Sequence, residues 1–308
     1  MIDYVGSGPY CYTNSLAMVL GRGAPLPTVI ETLTGSPFGM QLIAGSLPLF
    51  DPYGWDPEIG LDAAIVLLGW RCERSQGGSP EEALNRLKTA AAQGPVLVGP
   101  VDMGQLLYQP GTPAADGGDH YVVVLAVDED CVSLHDPHGH PHATLPHRAF
   151  LAAWEAKSVT YTDAPYVLRT GFAREREITE HDALRHSLSM AVQWLAGRED
   201  LAMPSDSKAG AAAAEGLAAL VTEGLPQGTR TLLTAFGVRA GARRLSDAAT
   251  CLSVLGCTDA AEIAARQAQI VGSLQFLLVN GDDRAVAAAL KHLAPTYDRL
   301  RTALTLCL

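Results

Sequence analysis

The sequence contains no apolar run that approaches the roughly 18 residues needed to cross a membrane as a helix. Its first residues, MIDYVGSG, lack the basic start and apolar core of an export signal. The six cysteines form no CxxC pair and no dense framework, which is typical of reduced thiols in a cytosol rather than of disulfides. These absences predict a cytoplasmic protein without a membrane anchor.

Positive charge is also scarce, because 22 Lys and Arg face 33 Asp and Glu and the net charge is −11. Such a chain would repel phosphates, so a nucleic-acid partner is not expected. Residues 1–170 hold 8 basic against 18 acidic residues, and residues 171–308 hold 14 against 15. An acidic half of this kind would attract a cationic acceptor such as an amine. The alternative is that the acidic residues only aid solubility.

Apolar residues make up 48 % of the chain, which predicts a well-packed globular protein with room for two domains in 308 residues. Helix and strand patterns are mixed up to about residue 170 and predict an α+β domain over residues 1–170, with a mainly antiparallel sheet. Ala, Leu, Gly and Arg dominate residues 171–308, which predict a helical bundle. The helices of this bundle are expected at residues 180–195, 207–220, 229–255 with a break near Gly237 or Gly241, 259–279 and 283–306, with Thr258 and Asp282 as caps.

One cysteine occupies a position that suits a nucleophile. The stretch before it reads GSGPY, which is typical of a loop, and apolar residues recur at helical spacing from Asn14 onward. Cys11 is therefore expected in the first turn of a buried helix, where the helix N-terminus favours a thiolate and offers N–H groups to an oxyanion. A structural cysteine in the core is the alternative reading of this stretch alone.

A predicted β-hairpin supplies a base and a carboxylate. Its sequence is DHYVVVLAVDEDCVSLHDP, with strands on either side of a turn at residues 128–130. Paired residues across such a turn have numbers that sum to about 258, so His120 lies within a residue or two of facing Asp136. A carboxylate on one ring nitrogen fixes the tautomer and leaves the other nitrogen to take a proton from a thiol. Cys11, His120 and Asp136 are therefore predicted to act as nucleophile, base and orienting group.

Two motifs resemble those of known cysteine enzymes. They are GPYCYTNSLAMVLG and, far downstream, HYVVVLAVDEDCVSLHDP. The sequence is similar to the papain-fold C39-type peptidases that process bacteriocins and, more closely, to the butirosin biosynthesis protein H family. The resemblance implies a papain-like fold followed by an all-helical C-terminal domain, with catalytic roles for Cys11, His120 and Asp136.

The sequence departs from the peptidase pattern at one position. C39-type peptidases carry a Gln about six residues before the cysteine, whose amide donates to the oxyanion, and Val5 stands there in this chain. An apolar side chain cannot donate a hydrogen bond, which counts against peptidase activity. The candidates for the missing donor are Asn14, Ser7 and the backbone N–H of Cys11.

The resemblance to the protein H family implies an acyltransferase of natural-product biosynthesis. Such an enzyme takes an acyl group from a carrier-protein thioester onto Cys11 and passes it to a small amine, forming an amide. No cofactor is implied, because phosphopantetheine would enter only as part of the acyl carrier protein. Two other functions stay open, namely a cysteine peptidase with water as acceptor and a papain-fold protein that binds a partner without catalysis.

Other patterns predict local structure. The sequence SPEE from residue 79 to 82 is typical of a helix start, and this helix is expected to run to about residue 92. Strands are expected at residues 70–74, 95–101, 158–162 and 166–169, and the aromatic-rich segment 35–60 is expected either to line a groove or to plug the core edge. The His-rich tract 135–147 is predicted to be a surface loop, because Pro and Gly interrupt the alternation that a metal site would need.

Three roles are open to the helical domain, which could cover the Cys11 cleft, dock a carrier protein or hold a homodimer together. Two groups of arginines would suit an acidic carrier protein or its phosphopantetheine. Solvated surface arginines are the common alternative. The two groups are Arg169, Arg174 and Arg176, and separately Arg239, Arg243 and Arg244.

Overall fold

A computed structural model describes residue 6 and residues 9–114, 118–198 and 200–308. The helices of these residues are α1 Cys11–Leu20, α2 Pro27–Leu33, α3 Pro57–Leu67, α4 Pro80–Ala91, α5 His147–Trp154, α6 Glu180–Ala196, α7 Gly210–Gly224, α8 Gln227–Leu232, α9 Val238–Val254, α10 Thr258–Val279 and α11 Asp283–Thr305. The strands are β1 Gln41–Ile43, β2 Leu47–Leu49, β3 Trp70–Ser75, β4 Val96–Asp102, β5 Asp119–Val127, β6 Cys131–Asp136, β7 His140–Pro146, β8 Leu168–Arg174 and β9 Lys208–Ala209. The predicted combination of an antiparallel sheet with helices, followed by a helical region, is confirmed.

The chain divides into two compact units. Residues 1–27 and 69–177 form the first, here called the sheet unit, and residues 28–68 and 178–308 form the second, here called the helical unit. The sequence had suggested a single boundary at residue 170. Residues 28–68 instead pack with the helices, because Met40, Leu42 and Phe50 belong to the apolar core of the helical unit.

The sheet unit is built on six antiparallel strands in the order β3-β8-β4-β5-β6-β7. Helices α4 and α5 contribute Leu87 and Phe150 to a core that also contains Val122 and Val124 of β5. The alternate residue Tyr121 meets α1 instead, since its ring contacts that of Tyr12 at 6.1 Å. Because both faces of β5 are covered, its sequence is a continuous apolar run rather than an alternating one.

The helix start predicted at residue 79 is confirmed as a capping box. The Ser79 hydroxyl accepts a hydrogen bond from the Glu82 backbone N–H, and the Glu82 carboxylate accepts one from the Ser79 N–H. Pro80 follows at the first helical position, where its missing N–H costs nothing. Two orphan donors of α4 are thereby satisfied.

The helical unit packs helices around one apolar core and adds a small sheet of order β2-β1-β9. The strand β9 was not expected, because the sequence from about Thr179 onward shows no convincing strand pattern. The predicted break near Gly237 is observed as a π-helical turn, Leu233–Gly237, between α8 and α9. The residue before α10 is Cys257, whereas Thr258 was expected to cap this helix and instead begins it. Asp282 caps α11 as predicted, accepting from the Ala285 N–H.

Three other expectations were wrong. The His-rich tract does not form a surface loop but supplies β7, which pairs with β6 at the edge of the sheet. Residues 158–162 contain no strand. The acid-rich residues 1–170 do not coincide with the sheet unit, because the sheet unit holds 10 basic against 15 acidic residues and the helical unit 12 against 18. Among the described residues, no helix combines the length and apolar character needed to cross a membrane.

Candidate functional site

Cys11 is the first residue of α1 and is half-buried. The residue before it, Tyr10, adopts a left-handed backbone conformation with φ 95° and ψ 40°. Residues other than glycine adopt this conformation at a cost on the order of 1–2 kcal/mol, so the surrounding contacts must hold the turn in place. The turn sets the Cys11 sulfur at the N-terminus of the helix, where the peptide dipoles favour negative charge.

His120 lies near the start of β5 and is buried. The Ser15 hydroxyl, one helical turn beyond Cys11, donates to the Tyr121 carbonyl at 3.2 Å and so ties α1 to the strand that carries the histidine. The His120 ring is hydrogen-bonded to the Cys11 side chain. Nucleophile and base, which are more than a hundred residues apart in sequence, therefore meet inside the sheet unit.

Asp136 ends β6 and is fully buried. The hairpin pairs Val123 with His135 and Val124 with Leu134, as the predicted register requires. His120 and Asp136 are diagonal neighbours in this register, and the His120 Nε2–H donates to Asp136 Oδ1 at 2.6 Å. The structure thus brings together all three residues that the sequence assigned to nucleophile, base and orienting carboxylate.

Three further donors hold the Asp136 carboxylate. The backbone N–H of His138 donates to Oδ1 at 2.7 Å. The Tyr108 hydroxyl and the Gln109 side-chain amide each donate to Oδ2 at 2.9 Å. With His120 the carboxylate accepts at least four hydrogen bonds, which fix its orientation toward the imidazole.

Sequence reasoning missed Tyr108, Gln109 and His138. The first two lie in the connection between β4 and β5, and their spacing to Asp136 carries no periodicity that a sequence pattern could reveal. His138 was noticed only as a member of the His-rich tract, and it contributes its backbone rather than its ring to Asp136. A buried carboxylate does require donors, but the sequence does not say which residues supply them.

The electrostatics of the site favour a charged imidazole. Burial lowers the pKa of His120, but the negative charge of Cys11 and the hydrogen bonds to Asp136 and Cys11 outweigh it and raise this pKa to about 10. Burial raises the pKa of Asp136, yet the hydrogen bond and charge of His120 hold it far below its ordinary range. Burial and the nearby Asp136 charge raise the pKa of Tyr108, which keeps its hydroxyl protonated as a donor at neutral pH. His120, Asp136 and Tyr108 thus influence one another's protonation, so that Asp136 stays ionised and His120 can hold a proton.

One of the predicted oxyanion donors has an unused hydrogen-bonding group. The side chain of Asn14 is buried and its Nδ2 atom has no hydrogen-bond partner among the described residues. Asn14 follows Cys11 by three residues, so the two side chains share a helix face, and helical side chains lean toward the N-terminus. Ser7, the other side-chain candidate, lies outside the described residues, as does Val5.

The arginine groups predicted as basic patches are not uniformly on the surface. Arg169 is fully buried within the sheet unit. Arg244 is buried in the helical unit, where it donates to Glu31 at 2.9 Å and to Asp51 at 3.0 Å. Arg174 lies over the Trp70 ring at 5.2 Å. Arg169 and Arg244 are therefore removed from any surface that could meet a carrier protein.

The His-rich tract is held by contacts within the sheet. The backbone N–H of His142 donates to His135 Nδ1 at 3.1 Å, and the two rings lie edge to face at 4.4 Å. Across the part of the chain that the structure describes, no group of three or more His, Cys, Asp or Glu residues is placed to hold a metal ion.

Comparison with known proteins gives two similarities. Residues 204–305, which lie in the helical unit, match a family model described as the YobF C-terminal domain. The chain is also similar to the uncharacterized protein YobF of Bacillus subtilis (strain 168), with 35 % identity over 165 residues that cover 52 % of this chain and 53 % of that protein. The chain therefore spans about half the length of the curated relative it matches. Neither similarity states an activity.

Proposed function

We propose that the protein is a cysteine-dependent acyltransferase that forms an amide through an acyl-enzyme on Cys11. The single observation that carries this proposal is the hydrogen-bonded series from Cys11 through His120 to the buried Asp136 carboxylate. A cysteine at a helix N-terminus, packed on an antiparallel sheet that supplies the histidine, is the arrangement expected of a papain-like fold. We infer that the sheet unit has that fold and works in the cytoplasm.

The chemistry follows from the proton positions. The Cys11 thiolate attacks the carbonyl carbon of an acyl thioester, and the tetrahedral intermediate expels the donor thiolate, which takes the proton of the His120 imidazolium. An amine then attacks the Cys11 thioester and loses a proton to the neutral imidazole. The intermediate collapses to the amide and returns Cys11 as a thiolate paired with the imidazolium. Asp136 stays ionised throughout and holds the imidazole in the required tautomer.

The oxyanion of each intermediate needs donors near the helix start. We assign Asn14 Nδ2 and the Cys11 backbone N–H to this role. Asn14 supports the assignment because its Nδ2 atom is buried and unpartnered, and a buried unpaired donor is costly unless a ligand uses it. An Asn14→Ala substitution is expected to lower kcat by about 100-fold with little change in unfolding free energy.

The donor and acceptor are inferred from the resemblance of the Cys11 and His120 motifs to the protein H family. The donor is an acyl group on the phosphopantetheine of an acyl carrier protein, and the acceptor is a small amine. The sheet unit holds 15 acidic against 10 basic residues, so its net charge of −5 keeps a weaker attraction for a cationic acceptor than residues 1–170 had suggested. Acceptor choice also depends on the shape and contacts of the cleft.

The proposal is tested with an N-acetylcysteamine acyl thioester and hydroxylamine. The wild type is expected to form hydroxamate and to show the acyl mass on the Cys11 peptide when hydroxylamine is left out. Cys11→Ala is expected to lose both signals, whereas Cys131→Ala, which removes another half-buried cysteine of the sheet unit, should keep them. Hydroxamate formation by Cys11→Ala would overturn the assignment of the nucleophile.

The same reaction mixture separates the alternative functions. A peptidase would use Cys11 as the nucleophile to hydrolyse a candidate leader peptide. It would also release free acid from the thioester even when an amine is in excess. A binding protein would acquire no acyl mass, and its Cys11 would react slowly with iodoacetamide at pH 6, where a thiolate paired with an imidazolium reacts fast.

A further inference from the structure

Two cysteines of the helical unit lie close together, one before the start of α10 and the other after the end of α11. Cys257 precedes α10, and Cys307 lies in the turn that follows α11. Their side chains are hydrogen-bonded to each other, and both are free thiols. About 50 residues separate them along the chain, so only the fold brings them together.

Arg185 of α6 fixes the two segments independently of the sulfur atoms. Its Nη2 donates to the Leu255 carbonyl and its Nη1 to the Cys307 carbonyl, both at 3.1 Å. One planar guanidinium therefore bridges the turn before Cys257 and the residue Cys307 itself. The guanidinium therefore holds the two backbone segments that carry the thiols close to each other.

We propose that Cys257 and Cys307 form a thiol–disulfide exchange site that takes a low-molecular-weight disulfide of the glutathione class. The Cys307 thiolate attacks one sulfur of the small disulfide, which forms a mixed disulfide and releases one small thiolate. That thiolate takes the proton of Cys257, whose own thiolate attacks the Cys307 sulfur and expels the second small thiolate, which takes a proton from water. The two protein thiols are oxidised to one disulfide, and the small disulfide is reduced to two thiols.

Exposure assigns the two roles. Cys307 is half-buried and accessible to a small molecule, so it reacts first. Cys257 is only 2 % exposed and lies behind it, which suits the resolving thiol. Burial, with the hydrogen bond to Cys307, raises the pKa of Cys257 to about 11, so this thiol stays protonated and does not itself attack the small disulfide.

The inference goes beyond the acyltransferase proposal and does not rest on it, since Cys11 belongs to the sheet unit and the pair to the helical unit. The disulfide would join the start of α10 to the end of α11. A cross-link that closes a long loop restricts the unfolded chain, so the oxidised helical unit should unfold at a higher temperature.

The full chain is incubated with oxidised glutathione, free thiols are alkylated, and peptides are mapped by mass spectrometry without reduction. The expected product is a linked pair of peptides that contain Cys257 and Cys307, with a thermal unfolding midpoint several degrees above the reduced protein. Cys251→Ser, at a buried thiol beside Thr32 in the same unit, should leave both results unchanged.

Two variants keep the test decisive. Cys307→Ser alters a half-buried residue in the turn after α11 and should abolish the link and the thermal shift. Cys257→Ser should stop the reaction at a glutathione adduct on Cys307. The inference is overturned if the wild type also stops at that adduct, if Cys307 links two protein molecules instead, or if both thiols remain open to alkylation.

Discussion

Removing the Asp136 carboxylate should destabilise the sheet unit more than a typical core substitution does. In Asp136→Ala, the hydrogen-bond donors of His120, Tyr108, Gln109 and the His138 backbone lose their acceptor together. Each buried donor left unpaired costs about 1–3 kcal/mol, and water that enters the vacated space recovers part of this. We therefore expect a loss of about 4–6 kcal/mol in the free energy of unfolding, against a total of about 5–15 kcal/mol for a typical domain.

Two milder variants provide an internal scale. Asp136→Asn keeps one carbonyl acceptor but points an amide at donors, so we expect a loss of about 2–3 kcal/mol. Tyr108→Phe removes one donor and leaves three on the carboxylate, which should cost about 1–2 kcal/mol. The predicted order of destabilisation is thus Asp136→Ala, then Asp136→Asn, then Tyr108→Phe.

The assay is urea unfolding at pH 7, with hydrogen exchange of β5 and β6 amides to locate the effect in the sheet unit. The depressed pKa of Asp136 adds a pH test. The ionised Asp136 carboxylate stabilises the folded state above its ordinary pKa of about 4, and this contribution is lost as the pH falls through the lower folded-state pKa. The free energy of unfolding of the wild type should therefore fall in acid, and Asp136→Asn should lack the part of this fall that Asp136 causes. If Asp136→Ala unfolds within about 1 kcal/mol of the wild type, the carboxylate does not hold this network.

Three further predictions concern separate parts of the molecule. The His120 ring, followed by carbon-detected NMR, should titrate near pH 10 in the wild type and at a lower pH in Cys11→Ser. A wild-type midpoint near the ordinary value of about 6.5 would contradict the pairing of His120 with Cys11 and Asp136. Arg244→Met removes the cation that pairs with two buried carboxylates, so the free energy of unfolding of the helical unit should fall by about 3–5 kcal/mol. An unchanged thermal unfolding midpoint would show that these ion pairs contribute nothing to stability. Ser79→Ala should lower the free energy of unfolding by about 1 kcal/mol, because α4 loses its N-terminal cap. Thr89→Ala on the same helix is the control, and equal urea midpoints for the two variants would refute the prediction.

Local rules were sufficient for the parts of the site that depend on sequence neighbours. The hairpin register followed from one turn and a count of residues, and it placed His120 beside Asp136 before any tertiary contact was known. The position of Cys11 followed from loop residues and helical periodicity. These predictions succeed because hydrogen-bonding geometry across a short turn allows few alternatives.

Contacts between segments that are distant in sequence could not be predicted from local sequence patterns. Tyr108 and Gln109 reach Asp136 from a connection with no regular period, and Arg169 is buried although its type is usually exposed. The strand β7 was mistaken for a loop because Pro141 interrupts its pattern, yet an edge strand tolerates a proline whose missing N–H faces away from the ladder.

The split composition of the helical unit has a consequence for the order in which the protein is made. Residues 28–68 leave the ribosome early, but β1 pairs with Lys208 and Ala209, and the Gly241 backbone lies so near Phe50 that a Cβ atom there would be 2.6 Å from its side chain. Within this segment β1 can pair with β2 at once, but its packing partners appear only after residues 69–177 and the following helices up to Gly241 have been synthesised. Until then the apolar side chains of Met40, Leu42 and Phe50 lack the helices that bury them, which makes the nascent segment prone to aggregation.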